Sequence, residues 1–355
     1  MNKSEVFVIG LMSGTSLDGI DLVYVKFDKN NYKDFKIIDA ETLSYTDKWK
    51  EKLQNGIHFS KDDLIKLNID YGKLLGKVIV DFIGKFQIQN IDFISSHGHT
   101  ILHQPQKGIT LQVGDGQAIA NITKQKVVCD FRTQDVKLGG QGAPLVPIGD
   151  ELLFSEYDYC LNLGGFANIS YKQDDKRVAY DICAVNIVLN KYAQQLGFNY
   201  DDEGKIAASG SFLMQLEADL RMLDFYQQKP PKSLGLEWVQ KEIFPRLESS
   251  KRKPEDLLRT FTDHIAWAIA KPIHKNAKVL ITGGGAYNKY LISKIKTHKN
   301  ADFVIPDNQL LEFKEALIFA FLGLLRSDGK VNCLKSVTGA RKNHSSGEIF
   351  YPNRK

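Results

Sequence analysis

Two short apolar runs near the start of the chain flank a glycine-rich polar segment. Residues 6–9 and 22–27 are rich in β-branched and aromatic side chains, which predicts two strands. The segment between them, residues 10–21, holds glycines, hydroxyl groups and the acids Asp18 and Asp21. Small residues let backbone N–H groups approach an anion, and a carboxylate beside a phosphate needs a divalent cation such as Mg²⁺ between them. The pattern favours a phosphate-binding hairpin with a metal-organising acid, and an ordinary glycine-rich turn is the alternative.

Helical spacing of apolar residues marks three other stretches. Apolar side chains recur from residue 64 to 83, and Ser60 ahead of them suits an N-cap. Residues 255–274 predict another helix, with a proline at its start. Residues 315–322 predict a buried helix with Glu315 at its head.

A strand predicted at residues 91–94 runs into small and polar residues that include His97 and Thr100. Side chains at the ends of strands face the ligand crevice in α/β sheets. A ligand site is therefore expected at this end of the strand.

The second half of the chain repeats the pattern of the first. Residues 159–171 read as strand, glycine turn and strand, with Gly164 and Gly165 in the turn, and a further strand ends at Asp181. A third glycine turn, residues 283–285, follows a strand and precedes a helix. Two phosphate hairpins that face each other across a cleft could clamp the β- and γ-phosphates of ATP, with the third turn against adenosine. That layout is typical of the actin-like, hexokinase-like ATPase fold.

Composition narrows the class of protein. A chain of 355 residues favours two domains, and 43% hydrophobic with 25% charged residues is typical of a soluble globular protein. We find no secretory pattern and no apolar run of membrane-spanning length. The net charge of +5 comes from scattered lysines, which predicts solvated surface and no nucleic-acid partner. The four cysteines include no CxxC pair, so we expect buried, reduced thiols in a cytosolic protein and no zinc site.

In order along the chain, a set of motifs closely resembles the anhydro-N-acetylmuramic acid kinase family. The motifs cover nearly the whole chain and lie at residues 10–21 (GLMSGTSLDGID), 97–100 (HGHT), 112–116 (QVGDG), 130–135 (DFRTQD), 139–147 (GGQGAPLVP), 162–169 (NLGGFANI), 231–233 (PKS), 283–288 (GGGAYN), 315–316 (EA) and 337–340 (VTGA).

The resemblance implies an α/β, two-domain actin-like ATPase fold, a duplicated ribonuclease H-like fold with an interdomain cleft. We expect an N-terminal lobe of residues 1–133 with about 335–355, and a second lobe of residues 134–334. The implied activity is an ATP- and Mg²⁺-dependent kinase of peptidoglycan recycling. It would open 1,6-anhydro-N-acetylmuramic acid with water and phosphorylate O6, giving N-acetylmuramic acid 6-phosphate and ADP. The implied setting is a cytoplasmic homodimer with an amino sugar and ATP as small-molecule partners, and without a membrane partner.

The resemblance also assigns the expected site residues. Asp181 is the expected general base for the attacking water, with a structural acid as the alternative. Arg132 and Glu315 are expected to orient the sugar, together with His97 and Thr100. The spacing of His97, His99 and His103 fits no standard zinc site, which favours sugar contact or structural hydrogen bonding. The residues expected to bind ATP are Gly14, Thr15, Ser16, Leu17, Asp18, Gly19, Ile20, Asp21, Gly164, Gly165, Gly283, Gly284 and Gly285, and those expected to hold Mg²⁺, directly or through water, are Asp18 and Asp21.

Three segments depart from the family pattern, mostly on the acceptor side. The family reads Asp-Thr-Gly-Pro-Gly-Asn where residues 181–186 read DICAVN, Gly-Gln where residues 98–99 read GH, and Ser-Thr-Gly-Arg-Glu where residues 233–237 read SLGLE. Two alternative functions follow from these changes. One is a nucleotide-binding regulatory protein that has lost catalysis, and the other is a kinase for another amino sugar.

Overall fold

The computed structural model describes residues 4–14 and 17–353, which form two compact units. Unit 1 comprises the described residues up to Phe154 and those from Phe313 onward. Unit 2 is the continuous stretch Ser155–Glu312. Within the described ranges, no helix is both long and apolar enough to cross a bilayer.

The strands divide into one sheet in each unit. Those of unit 1 are β1 (Glu5–Ser13), β2 (Ile20–Asp28), β3 (Phe35–Leu43), β4 (Phe93–Gln104), β5 (Ile109–Val113), β6 (Val127–Cys129) and β12 (Glu348–Phe350). Those of unit 2 are β7 (Tyr159–Leu163), β8 (Phe166–Gln173), β9 (Lys176–Ala184), β10 (Lys278–Thr282) and β11 (Asp302–Val304).

The helices pack on these sheets. They are α1 (Asp47–Asn55), α2 (Lys61–Lys85), α3 (Gly116–Thr123), α4 (Thr133–Lys137), α5 (Pro147–Leu153), α6 (Asn186–Gln194), α7 (Lys205–Ser209), α8 (Met214–Arg221), α9 (Leu236–Trp238), α10 (Phe244–Ser249), α11 (Pro254–Ala270), α12 (Lys289–His298), α13 (Asn308–Ser327) and α14 (Lys335–Thr338). A π-helical turn covers Val239–Ile243, and 3₁₀ turns cover Gly56–His58, Pro105–Lys107, Asp202–Gly204, Asp224–Gln227 and Gly284–Tyr287.

The two sheets share one strand order. In unit 1, β1, β2 and β3 form an antiparallel meander, β4 adds in parallel beside β1, and β6 in parallel beside β4. In unit 2, β7, β8 and β9 form the meander, with β10 parallel to β7 and β11 parallel to β10. The repeated order confirms the duplicated α/β fold predicted from the sequence, while the cleft between the units stays a prediction.

Local sequence explains the elements that support unit 1. The Ser60 side chain accepts a hydrogen bond from the Asp63 N–H and begins α2, as predicted. Helix α13 packs directly on β1 at Ala316 and Ala320, because Gly10 has no side chain to hold the helix away from the strand. A Cβ at Gly10 would stand 2.7 Å from that of Ala320. The approach fixes α13, and with it Glu315, on the sheet that carries the first hairpin.

The compact units differ from the expected lobes at both boundaries. Residues 134–154 and 313–334 belong to unit 1, although we expected them in the second lobe. The physical reason is packing, because Gly149 of α5 abuts Ile318 of α13 and the Lys314 ammonium pairs with Asp150 over 2.7 Å. The glycine- and proline-rich run before α5 therefore lies within unit 1.

The predicted ends of two strands are wrong. The strand expected at residues 91–94 continues to Gln104, because its polar residues pair with β1 and β5. Strand β9 continues past Asp181 to Ala184 because residues 182–184 are buried.

Candidate active site

The first glycine-rich hairpin joins β1 to β2 in unit 1. The Leu17 N–H donates to the Gly14 carbonyl over 3.3 Å, and Leu17 has a φ of +60°. Gly19 lies against β3, where a Cβ would come within 2.9 Å of the Leu43 carbonyl oxygen. The predicted phosphate-binding residues Thr15 and Ser16 lie outside the described residues. The strands on either side of the segment, β1 and β2, pair antiparallel, as the sequence predicts, while phosphate binding by the segment stays a prediction.

The two acids of this hairpin have different surroundings. Asp18 is exposed, whereas Asp21 is paired in β2 and its Oδ1 accepts a hydrogen bond from the Thr42 hydroxyl over 2.6 Å. Carboxylate oxygens suit Mg²⁺, which keeps several of its waters in protein sites. An exposed carboxylate and an anchored one fit that ion through oxygen atoms or bridging water.

Arg132 and His97 contact each other directly. The Arg132 Nε–H donates to His97 Nε2 over 3.0 Å, and its Nη1 donates to the Gly142 carbonyl over 2.7 Å. The other ring nitrogen of His97 lies 2.9 Å from the Gly98 carbonyl, which requires the proton on Nδ1. Burial, and then the charge of Arg132, hold the pKa of His97 well below its usual range. His97 is therefore a neutral acceptor that orients Arg132.

Glu315 lies in the electrostatic field of the same residues. Burial raises its pKa, while the charges of Arg132 and Lys314 oppose that rise and Asp21 adds to it. Its side chain is nevertheless accessible to solvent, whereas Lys314 and Ala316 beside it are buried. The surrounding protein thus favours the protonated form of an accessible acid, which suits hydrogen bonding to a polar ligand. The structure places predicted site residues from β2, β4 and α13 in this one region of unit 1.

A chain of hydroxyl groups behind the first hairpin gave no signal in the sequence. Tyr45 and Tyr71 share a hydrogen bond of 2.6 Å, and the Tyr71 hydroxyl donates to Ser13 Oγ over 2.9 Å. Ser13 donates in turn to the Gly98 carbonyl and lies 3.5 Å from His99 Nδ1. Burial lowers the pKa of His99 to about 4. His99 is thus part of a buried structural network. Thr100, beside it in β4, accepts a 3.3 Å hydrogen bond from Gln112.

A second buried cluster surrounds Asp135, the last residue of the motif at 130–135. Its Oδ1 accepts hydrogen bonds from Thr338 over 2.7 Å and from Cys333 and His344 over 3.0 Å each. Its Oδ2 accepts from the Gly142 N–H over 2.7 Å. The Asp135, Cys333 and His344 ligand atoms lie within 4.8 Å of one another, but convergence of the donors on one oxygen accounts for the cluster without a metal ion. All four cysteines are buried, as predicted, and none of them forms a disulfide within the described residues.

Unit 2 carries the second and third glycine turns. Gly164 and Gly165 form a two-residue connection between β7 and β8. Their carbonyls accept hydrogen bonds from the start of α6, from Asn186 over 3.3 Å and from Val185 over 2.8 Å. These hydrogen bonds hold the turn against the start of α6, the helix that follows β9.

The third turn packs on the second. Gly283 has a φ of +85°, and a Cβ there would stand 2.6 Å from the Asn162 side-chain oxygen and 2.9 Å from the Leu163 carbonyl carbon. Gly285 also lies against Leu163. Since β10 is parallel to β7, Thr282 and Asn162 pair and bring the two glycine turns to the same end of the sheet. The nucleotide-binding role of this group of turns stays a prediction.

Asp181 is half-buried in the edge strand β9. Its Oδ2 accepts a 2.8 Å hydrogen bond from the Leu234 N–H, and its own N–H donates to the Lys232 carbonyl over 3.1 Å. Burial raises the pKa of Asp181, and the Leu234 hydrogen bond partly offsets the rise. Among the described contacts, the hydrogen bond to Asp181 engages Oδ2 and leaves Oδ1 for a ligand.

The altered segment after Asp181 points inward. Ile182 is 4% exposed, and Cys183, Ala184 and Val185 are completely buried in the apolar core of unit 2. These residues therefore pack in the core beneath the strand that carries Asp181, and Cys183 does not reach the surface.

Two sheets of the same strand order, each with a glycine-rich connection between its first two strands, form the fold expected of the actin-like ATPase class. Within that class, the chain belongs to the anhydro-N-acetylmuramic acid kinase family, whose model matches residues 6–352.

Relatives with that name are similar over almost their full length. An anhydro-N-acetylmuramic acid kinase of Bacillus cereus (strain AH187) is 31% identical, with 98% of this chain and 100% of the relative covered. One of Francisella tularensis subsp. novicida (strain U112) is 32% identical, with 97% and 98% covered.

Solved structures with some likeness are more distant. The activator of 2-hydroxyisocaproyl-CoA dehydratase from Clostridium difficile with bound ADPNP is 15% identical with a TM-score of 0.45, covering 91% of this chain and 97% of its own. A hexokinase from Schistosoma mansoni complexed with glucose is 11% identical with a TM-score of 0.37, covering 89% and 84%.

Proposed function

We propose that this chain is an ATP-dependent kinase that opens 1,6-anhydro-N-acetylmuramic acid with water and phosphorylates O6. The products are N-acetylmuramic acid 6-phosphate and ADP, and the setting is peptidoglycan recycling. The observation that carries the proposal is the family match over residues 6–352, a range that spans Asp181.

Asp181 acts as the general base. Oδ1 takes a proton from water as the water oxygen bonds to the anomeric carbon, and the bond from that carbon to O6 breaks. O6 then bonds to the γ-phosphorus of ATP as the bond to the ADP oxygen breaks. The raised pKa of Asp181 supports this role, because a base whose pKa is closer to the working pH takes a proton more readily.

Arg132 and Glu315 orient the sugar. Arg132 is held by His97 and the Gly142 carbonyl, so its remaining N–H groups are directed before the ligand arrives. They pair with the lactyl carboxylate or a phosphate. Glu315 bonds sugar hydroxyls or the amide, while Thr100 and His97 complete the acceptor side.

The glycine turns bind ATP. Backbone N–H groups of residues 14–21 and of Gly165 bind the phosphates beside Gly164, whose own N–H donates to the Phe166 carbonyl over 3.2 Å, and residues 283–285 lie against adenosine. Asp18 and Asp21 hold Mg²⁺, which draws negative charge from the phosphates when it is bound. We further propose that the enzyme is cytoplasmic and a homodimer.

The buried position of the altered segment favours this function over a regulatory protein or a kinase for another amino sugar. Residues 182–185 contact the core, while Asp181 keeps its hydrogen bond to Leu234. The substitutions therefore change internal packing and leave the carboxylate in place.

The test measures ADP release from Mg·ATP with and without anhydro-N-acetylmuramic acid. We expect sugar-dependent turnover that falls by about 10²–10⁴-fold in Asp181→Asn, the range for loss of a general base. Asp174→Asn, an exposed acid in the turn before β9, is the matched control and should keep full activity.

ATP binding without sugar-dependent turnover would overturn the proposal in favour of the regulatory function. Turnover on N-acetylmuramic acid or N-acetylglucosamine, with little on the anhydro sugar, would identify the kinase for another amino sugar. Turnover that persists in Asp181→Asn would remove the base role.

A further inference from the structure

A cavity of about 280 Å³ lies in unit 2 at the edge of β9. Tyr180 and Ile182 of β9 form part of its wall, and Ala268 and Lys271 at the end of α11 form another part. Tyr180 and Ile182 flank Asp181 along β9, and Asp181 is not one of the residues that line the cavity.

The charged residues that line the cavity are all positive. Lys229, Lys232 and Lys271 all line it, and the described residues around it include no acid. Lys232 and Lys271 are held in place, because their ammonium groups donate to the carbonyls of Phe225 and Tyr226 over 2.8 Å each. An ammonium group has three N–H donors, so each of these two lysines keeps further donors for a ligand.

The lysines also repel one another. Burial, and then the charge of Lys271, lower the pKa of Lys232. An anion between the two ammonium groups would relieve this repulsion. Lysine ammonium groups bind phosphate as point charges, and the nearly double negative charge of a phosphate monoester matches several ammonium groups better than the single charge of a carboxylate.

The rest of the lining suits a compact organic group. Ile182, Ala268 and two prolines supply apolar surface, and Gln227 with Gln228 supplies amide donors and acceptors. Ligand sites commonly combine apolar walls with a few convergent polar groups. The volume accommodates a molecule the size of one sugar ring with its phosphate.

We infer that this cavity is a binding site for a small phosphate ester such as a sugar phosphate, separate from the glycine turns. The bound phosphate contacts Lys229, Lys232 and Lys271, and the uncharged part rests on Tyr180 and the apolar wall.

The site is connected to Asp181 through one peptide segment. Lys232 lines the cavity with its side chain, while its carbonyl accepts the Asp181 N–H over 3.1 Å. Two residues later, the Leu234 N–H holds Asp181 Oδ2. A ligand that draws on Lys232 therefore acts on the segment that positions this carboxylate, so occupancy is expected to change turnover.

The experiment titrates the full chain with glucose 6-phosphate by calorimetry, in saturating Mg·ADP so that the nucleotide site is already filled. Glucose and inorganic phosphate are titrated beside it. We expect glucose 6-phosphate to bind and glucose not to bind. In the double variant Lys229→Gln/Lys271→Gln, we expect affinity to fall by about 10-fold or more, the cost of losing a charged hydrogen bond.

Lys275→Gln is the matched control, since Lys275 is exposed on the loop after α11 and does not line the cavity. It should bind like the wild type, and thermal melts should show that all variants are folded. Equal affinity in the double variant, or no binding of glucose 6-phosphate to the wild type, overturns the assignment.

A kinetic arm measures turnover of the wild type and the double variant with and without glucose 6-phosphate. This arm rests on the proposed function, whereas the calorimetry does not, so the two can fail separately. A change in turnover confined to the wild type supports the connection to Asp181. The same response in both proteins, or no response in either, overturns it.

Discussion

The Nε–H of Arg132 donates to Nε2 of His97 over 3.0 Å, and this pair sets the direction of the guanidinium in unit 1. Because Nδ1 of His97 carries the proton toward the Gly98 carbonyl, Nε2 can only accept. A buried neutral histidine thus serves as the acceptor that a carboxylate would otherwise provide, without cancelling the charge of Arg132.

Replacing His97 tests this arrangement. His97→Leu removes the acceptor at similar volume, so Arg132 loses its orientation and the KM for the anhydro sugar should rise about 10-fold, while the KM for ATP changes little. His97→Gln offers an amide oxygen in its place and should recover much of the difference. Steady-state kinetics on both variants measure it, and an unchanged sugar KM in His97→Leu would show that Arg132 needs no such partner.

The pH dependence of stability should report on His99. Its pKa is about 4 in the fold against 6.5 in a solvated histidine, so folding favours the neutral ring. The stabilisation is complete above pH 6.5 and is lost as pH falls toward 4, where the unfolded chain binds the proton first. The expected loss is about 3 kcal/mol over that window.

Urea denaturation of the wild type and His99→Gln at several pH values isolates this contribution from the titration of the acids. The wild type should lose free energy of unfolding relative to His99→Gln as pH falls from 6.5 to 4. Above pH 6.5 the difference between the two proteins should stay constant. A difference that is flat throughout would mean that His99 titrates normally.

The Asp135 cluster should be a major source of stability in unit 1. Asp135→Asn turns an amide group toward the donors of Thr338, Cys333 and His344, and we expect a loss of about 3 kcal/mol. Thr338→Val removes one donor at equal volume and should cost about 1 kcal/mol. Since Gly142 links Asp135 to Arg132, the sugar KM should also rise in Asp135→Asn.

Chemical denaturation measures both variants against Asp34→Asn, an exposed acid that should stay within about 0.5 kcal/mol of the wild type. A cost in Asp135→Asn no larger than in Asp34→Asn would contradict a structural role for the cluster.

The third glycine turn should tolerate a methyl group at one position and not at its neighbour. Gly283→Ala combines a φ of +85° with a contact of 2.6 Å to Asn162, so the turn must shift. We expect the KM for ATP to rise about 10-fold, since strain of this kind costs about 1–3 kcal/mol. Gly284→Ala meets no atom closer than 3.9 Å and is the control. An ATP KM in Gly283→Ala equal to that of the wild type would separate this turn from nucleotide binding.

Periodicity and turn chemistry predicted the architecture from the sequence. The helix after Ser60, the strand pairs around both glycine hairpins and the duplication follow from residues close together in the chain. The predicted end of β4 was wrong because the polar residues His97 and His99 are typical of a loop. In the structure they lie in a strand that pairs with neighbouring strands on either side.

The contacts between distant residues could not be predicted in this way. Arg132 meets His97 across 35 residues, and Leu234 meets Asp181 across 53. Hydrogen bonds between distant residues produce no periodic pattern in the sequence. The sequence therefore indicates which polar groups are candidates for a site, and only the fold shows which of them are in contact. The Asp135 cluster is the extreme case, because its Cys and His lie outside any recognisable spacing.

The separation of those partners affects the order in which the newly made chain can fold. Asp135 is synthesised 203 residues before Thr338 and 209 before His344. At ordinary rates of translation that is a delay on the order of 10–40 s. Unit 2 is continuous and emerges from the ribosome within that interval, so it can be complete while unit 1 still lacks its last helix. The half of the protein that is made first is therefore the half that is finished last.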